Sequence, residues 1–215
     1  MSCLNLWKQR LGEVPDAVWD RVDLETLILA ENGLTQVSAR LGGLRRLRTL
    51  DLGHNALASL PNVFGNLECL TDFLYLHDNR LEALPGSIAK LTSLRYLNIS
   101  NNKLASFPEL LSELTGLVEL RASDNQIASI PESIGRLSRL HELHLRNNRL
   151  SSLPESIGDL QQLRCLDLRG NPIETLPASI ADLPAIYKLD LRWTPSLPLP
   201  EWVPRLEARG VLVYR

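Results

Sequence analysis

Leu143-x-Leu145-x-x-Asn148-x-Leu150-x-x-Leu153-Pro154-x-x-Ile157 recurs 23 residues later as Leu166-x-Leu168-x-x-Asn171-x-Ile173-x-x-Leu176-Pro177-x-x-Ile180. The asparagine of this pattern stands at positions 32, 55, 79, 102, 125, 148 and 171, in steps of 23 residues broken by a single step of 24. A fixed period of roughly 20–50 residues marks an array of stacked structural units. Within each unit the leucines alternate with variable residues, a period of two that turns leucines inward and their neighbours outward on a short strand. Twenty-three residues fall short of the ~30 that a strand–helix–strand unit needs, so each unit reads as one strand, a turn and a loosely wound return. Stacking places the strands in a parallel sheet with ~4.8 Å rungs. The bulkier returns sit further apart, which makes the sheet the concave side.

The other recurrent residues have physical reasons of their own. An asparagine amide at the turn pairs with buried backbone groups that would otherwise cost ~1–3 kcal/mol each. Proline at 15, 61, 85, 108, 131, 154, 177 and 200 fixes φ and removes an N–H where the return begins, which disfavours a strand there. The predicted fold class is therefore an α/β repeat: a right-handed solenoid with a parallel concave sheet and extended, 3-10 or short helical convex segments. One domain spans 1–215, with a degenerate first unit over 1–23, seven regular units over 24–185 and a degenerate last unit with a cap strand over 186–215. The first unit uses Leu4, Leu6, Gln9, Leu11, Val14, Pro15 and Val18; the last uses Leu189, Leu191, Thr194, Leu199, Pro200 and Val203, followed by the apolar, valine-containing run Gly210-Val211-Leu212-Val213-Tyr214, read as a short final strand. Ser38 replaces the proline of the second unit.

Composition narrows the function classes. Apolar residues make up 44% and charged residues 22%, so an ordered core is expected throughout. Twenty-three basic against 25 acidic side chains give a net charge of -2, too balanced for a protein that lives on nucleic acid or an anionic membrane. All basic residues but Lys8, Lys90, Lys103 and Lys188 are arginine, a bias expected of a bacterial coding genome. No apolar stretch approaches the ~18 residues of a membrane span, and the N-terminus lacks the pattern of a cleaved signal. Cys3, Cys69 and Cys165 are odd in number and far apart, unlike a disulfide framework. A cytoplasmic protein is predicted.

The pattern resembles the intracellular leucine-rich repeats of 23 residues, with consensus Leu-x-x-Leu-x-Leu-x-x-Asn-x-Leu-x-x-Leu-Pro-x-x-Ile-x-x-Leu. It is similar to the repeats of Ras-suppressor and scribble-type scaffolds, plant intracellular Ras-group proteins and bacterial repeat proteins. The resemblance implies a platform that binds a protein, without catalysis. The alternative reading is a substrate-recognition domain of a bacterial effector or ubiquitin-ligase-type enzyme whose catalytic part lies outside this chain.

Binding must rest on outward residues, since a fold does not itself specify function. Counted from the first leucine of each unit, the third, fifth, seventh and eighth places face the concavity or its rim. Phe73, Tyr75 and Tyr96, flanked by His77 and Asn98, concentrate aromatic surface on adjacent rungs, and such side chains are typical interface anchors. Arg146, Arg169 and Arg192 form a ladder at the seventh place beside Arg121 and His144, and Trp193 lies at its edge. Stacked like charges repel, so Asp167, Asp190 and Glu142 on one hand, or an acidic partner on the other, are expected to compensate them. These eleven residues form the predicted partner-binding site of a monomer. The extra residue in the 24-residue step falls within Leu70-Thr71-Asp72-Phe73-Leu74, where the downstream frame places Phe73 outward and the upstream frame inward.

No cofactor, metal or catalytic constellation is read from the sequence. His141-Glu142-Leu143-His144 lacks the i, i+4 spacing of a helical zinc motif, and on a strand residues three apart face opposite ways, while His54 and His77 stand alone and read as solvated surface side chains and not as ligands.

Overall fold

The computed structural model describes residues 2–215. Ten three-residue strands form one parallel sheet in strictly sequential order. They are β1 (Cys3–Asn5), β2 (Thr26–Ile28), β3 (Thr49–Asp51), β4 (Phe73–Tyr75), β5 (Tyr96–Asn98), β6 (Glu119–Arg121), β7 (Glu142–His144), β8 (Cys165–Asp167), β9 (Lys188–Asp190) and β10 (Leu212–Tyr214). Register follows the repeat: the central residues Leu4, Leu27, Leu50 and Leu74 pair in turn, and so on to Leu189 and Val213. From Leu27 to Leu189 every one of these central leucines is fully buried, which is the inward half of the alternation.

The returns are short because proline or a substitute punctuates them. Seven 3-10 segments, running from Ala39–Gly43 to Ala178–Asp182, line the convex side. Five of them start directly after Pro85, Pro108, Pro131, Pro154 or Pro177, each with extended backbone. Ser38, the residue without proline, does the same work by another route: its hydroxyl accepts from Arg40 N–H at 3.2 Å. Helix α1 (Asp16–Trp19) and helix α2 (Val203–Ala208) serve as the returns of the first and last units.

The asparagines tie each rung to the one before it. Asn148 donates to Leu145 and Arg146 carbonyls in its own turn and to Ala122 O, 2.9 Å away in the preceding rung, while its Oδ1 accepts from Ile127 N–H at 3.0 Å. Asn32, Asn102, Asn125 and Asn171 repeat this arrangement in buried positions. In the first unit Gln9 takes the asparagine's place: its side chain keeps a local bond to Trp7 O at 3.2 Å, and its N–H donates to Asn32 Oδ1 at 2.9 Å as Asn32 N–H does to Asn55 Oδ1. In the last unit Thr194 keeps only the local half, its hydroxyl donating to Leu191 O at 2.6 Å.

One detail of the sequence reading needs correction. Leu199 is half exposed, and Leu197 packs on the core in its stead, because the Pro-rich segment around them departs from the repeat backbone.

Candidate functional site

The extra residue of the 24-residue step is absorbed immediately before β4. Arg48 O accepts from both Asp72 N–H and Phe73 N–H, while Thr71 O and Asp72 O each accept from the next rung. The bulge therefore sits at Thr71-Asp72, with Leu70 buried upstream and Leu74 buried downstream. Both frames are satisfied, and Phe73 is outward, 43% exposed. The bulge also aims Asp72 sideways, where it takes Arg48 in a two-pronged ion pair at 3.0 and 3.1 Å.

Around this bulge the aromatic residues form one continuous surface. Phe73 stacks on Tyr75 at 6.0 Å, Tyr96 lies 5.6 Å from Phe73 and 5.1 Å from Tyr75, and His77 meets the Tyr75 edge at 5.9 Å. These spacings fall in the range of about 4.5–7 Å that favours offset or edge-on ring contacts. Burial pushes the Tyr75 and Tyr96 hydroxyls up from their ordinary range, so both stay neutral donors at physiological pH. Beside them Arg48, Asp72, Phe73, Arg95, Tyr96, Val118 and Glu119 line a groove of about 400 Å³. Its basic members occupy the second place of their units, one step before the strand, which the inward/outward alternation does not single out.

Toward the C-terminal end the arginine ladder is compensated by aspartates on the sheet itself. Arg169 pairs with Asp167 through two contacts of 2.8 and 2.6 Å, and Arg192 pairs with Asp190 through contacts of 2.9 and 2.8 Å. Arg169 also reaches Asp190 at 3.5 Å. Arg146 turns instead to Asp124 at 2.9 Å, and Glu142 engages His144 at 3.0 Å, not an arginine. Arg121 is held by Glu119 at 2.5 Å. Asn98 accepts from Ser100 N–H at 3.0 Å and lies beside Tyr75 in the β4–β5 register.

Burial works against ionisation of Asp167, yet bonds from the Arg169 side chain, His144 and the Arg169 N–H outweigh it and hold the carboxyl far below its usual range. A depressed folded-state value means a stabilising contribution that is complete above the unfolded-state value of about 3.9 and is lost as pH falls below it. Asp167→Asn is expected to flatten the acid limb of stability between about pH 4 and pH 2. Urea midpoints measured across that interval check it; parallel acid limbs for parent and variant would refute the assignment.

Trp193 is 68% exposed and walls an apolar groove of about 270 Å³ with Leu197 and Leu199, while Trp202 packs on the core. Tyr214, which the sequence reading treated only as part of a cap strand, pairs with Asp190 in register and lies 5.2 Å from the Arg192 guanidinium. The signal was present: in Val211-Leu212-Val213-Tyr214 the alternation itself turns Tyr214 outward. Cys165, at an outward third place, is nonetheless buried, and burial pushes its thiol up, away from the reactive thiolate.

The eighth places share a feature that the sequence reading missed. Glu31, His54, Asp78, Asn101, Asp124, Asn147 and Trp193 all adopt positive φ between 51° and 59°, and Gly170 sits at 67°. Asn, Asp and Gly tolerate this conformation best, and their recurrence at one place was the available sign. The same turn brings His54 and His77, which appear isolated in sequence, to a ring separation of 4.8 Å. They are 23 residues apart, one rung in space. His141, just before β7, and His144, its last residue, take separate partners, Gln162 at 2.9 Å and Glu142 at 3.0 Å.

Among the described residues no helix is long and apolar enough to cross a membrane. The family described as leucine rich repeat matches residues 22–81 and 72–127, and the family described as leucine-rich repeat region matches residues 131–208. A leucine-rich-repeat protein of Leptospira interrogans is similar at 28% identity and a TM-score of 0.73, over 95% of this chain and 64% of that one. An internalin of Listeria monocytogenes shares the fold at 22% identity and a TM-score of 0.82, over 100% of this chain and 60% of that one. The ectodomain of the Arabidopsis thaliana receptor kinase GASSHO1/SCHENGEN3, solved in complex with CASPARIAN STRIP INTEGRITY FACTOR 2, matches at 26% identity and a TM-score of 0.71, over 100% of this chain and 32% of that one. The chain thus spans about three fifths of the two bacterial proteins and a third of the plant one.

Proposed function

We propose, starting from the fact that this chain belongs to the leucine-rich-repeat family, that it is a non-enzymatic module binding a protein on its concave sheet. The observation that carries the reading is the packed surface of Phe73, Tyr75 and Tyr96 on two adjacent strands, with Phe73 substantially exposed. An aromatic cluster of this kind loses little rotamer freedom on contact and supplies the central anchors of interfaces. His77 and Asn98 flank it. Arg121, His144, Arg146, Arg169, Arg192 and Trp193 extend the same face toward the C-terminal end, where they set orientation more than affinity because their charges are already paired. The protein acts as a monomer in a reducing bacterial cytoplasm; the free cysteines and the arginine-rich basic complement support that placement.

The test is the affinity of a partner identified by co-purification and mass spectrometry. Tyr75→Ala combined with Tyr96→Ala is expected to weaken it by at least about thirtyfold, the loss that a single interface hot spot of about 2 kcal/mol accounts for. Glu155→Ala on the convex side is expected to leave it unchanged. Equal affinity for the parent and the double variant would remove the aromatic face from the site.

A further inference from the structure

We propose that His54, His77 and Asp78 bind a zinc ion on the rim of the sheet. His54 Nδ1 lies 3.4 Å and His77 Nε2 lies 3.8 Å from Asp78 Oδ2. One ligand atom from each residue falls within 4.8 Å of the other two. Around a tetrahedral zinc with bonds of about 2.0–2.1 Å, neighbouring ligand atoms are about 3.3–3.4 Å apart. One edge of the triangle already has that length. The His54–His77 edge closes by rotation of the half-exposed His54 side chain, and the 3.8 Å His77–Asp78 edge needs a shift of about half an ångström in the Asp78 carboxylate.

The remaining parts of the site are built by the backbone. Positive φ at His54 and at Asp78 belongs to the turn that ends each strand, so both ligands hang from a rigid, repeated element. The His77 ring is seated against Gly53: a Cβ there would stand 2.5 Å from His77 Cε1 and 2.9 Å from its Nδ1. Only glycine leaves that room. His77 Nδ1 is buried and has no hydrogen-bond partner, while Asp51 Oδ1, which accepts from Gly53 N–H at 2.9 Å, lies beside the same spot. Zinc-bound histidines usually donate from the nitrogen that does not coordinate to a carboxylate or carbonyl; His77 Nδ1 makes no such bond in this structure, and Asp51, against the same glycine, is a carboxylate that could take it on zinc binding. Two imidazoles and one carboxylate suit zinc, and three protein ligands leave a fourth position open to the concavity.

A second cluster, Glu119, Glu142 and His144, also brings three donors within that distance. It is occupied by its own charges, since Arg121 holds Glu119 at 2.5 Å and His144 bonds Glu142 at 3.0 Å. It serves as the internal comparison.

The experiment titrates zinc chloride into the chelator-stripped full chain carrying Cys3→Ser and Cys69→Ser, which removes the two exposed thiols. Calorimetry and nitrogen-detected imidazole spectra of the four histidines are recorded together. The expected result is one equivalent bound, with His54 and His77 resonances shifting to saturation while His141 and His144 stay in place. His54→Asn and Asp78→Asn, both compatible with positive φ, are each expected to weaken binding at least about tenfold with unchanged circular dichroism. Absence of zinc uptake, undiminished uptake by both variants, or shifts confined to His141 and His144 would overturn the site.

Discussion

Asn171→Ala is expected to destabilise the protein by about 4 kcal/mol, more than any surface substitution. The amide of Asn171 donates to Leu145 O at 2.9 Å and Leu168 O at 2.8 Å, and its Oδ1 accepts from Leu150 N–H at 3.1 Å. Leu145 O keeps a second donor in Asn148. Leu150 N–H and Leu168 O lose the bond that the side chain supplies, in a place that water does not reach. Two buried orphaned backbone groups at about 1–3 kcal/mol each give the estimate. Asn171→Asp, which retains the acceptor and loses the donors, is expected to be nearly as costly, because a carboxylate would then face the Leu145 and Leu168 carbonyl oxygens. Urea unfolding of both variants measures this; a loss below about 1 kcal/mol for alanine would show that the turn finds other partners.

Leu145→Ala is expected to cost about 2–5 kcal/mol, the usual range for truncating a fully buried leucine. Repeat arrays add a consideration that a globular core does not. Each rung is stabilised by its two neighbours, so a defect in the middle weakens two interfaces and a defect at an end weakens one. The partly buried Leu4 in β1 has a neighbour on one side only, and Leu4→Ala is expected to cost less than half as much. Arg146→Ala, beside Leu145 in sequence but on the outer face, removes only a half-exposed pair with Asp124, expected to be within about 1 kcal/mol. Denaturant midpoints for the three variants order them Leu145, Leu4, Arg146. Any reversal between Leu145 and Arg146 would contradict the assignment of faces.

The fold was legible because its information is local and repeated. A leucine every second residue specifies a buried face, an asparagine specifies a turn with polar needs, and a proline specifies a return that cannot pair as a strand; seven regular copies average away the ambiguity of any single one. Departures were legible only in part. Ser38 stood out as a missing proline, but its role as an acceptor at the start of a 3-10 segment depended on the backbone around it. Leu199 looked like an inward leucine by position and is exposed, since the run of prolines around it imposes a path that the repeat does not share.

The site was legible as a set of outward residues and less so as a set of interactions. Phe73, Tyr75 and Tyr96 followed from alternation once the register was known, and the register at Phe73 was the point where two frames disagreed. Compensation of the ladder by Asp167 and Asp190 was one of two readings the sequence left open, beside an acidic partner, whereas Arg146 pairs with Asp124, an eighth-place residue at positive φ on the preceding rung.

The sequence by itself determined the period, the inward face, the turn chemistry and the outward placement of Tyr75, Tyr96 and the arginines, because each is carried by spacing within one unit. Tertiary structure alone decided where the extra residue goes, that Arg146 meets Asp124, and that His54, His77 and Asp78 converge. Those outcomes depend on contacts between residues some 23 positions apart, made in space by backbone hydrogen bonds between rungs, and no pattern inside a single unit encodes them.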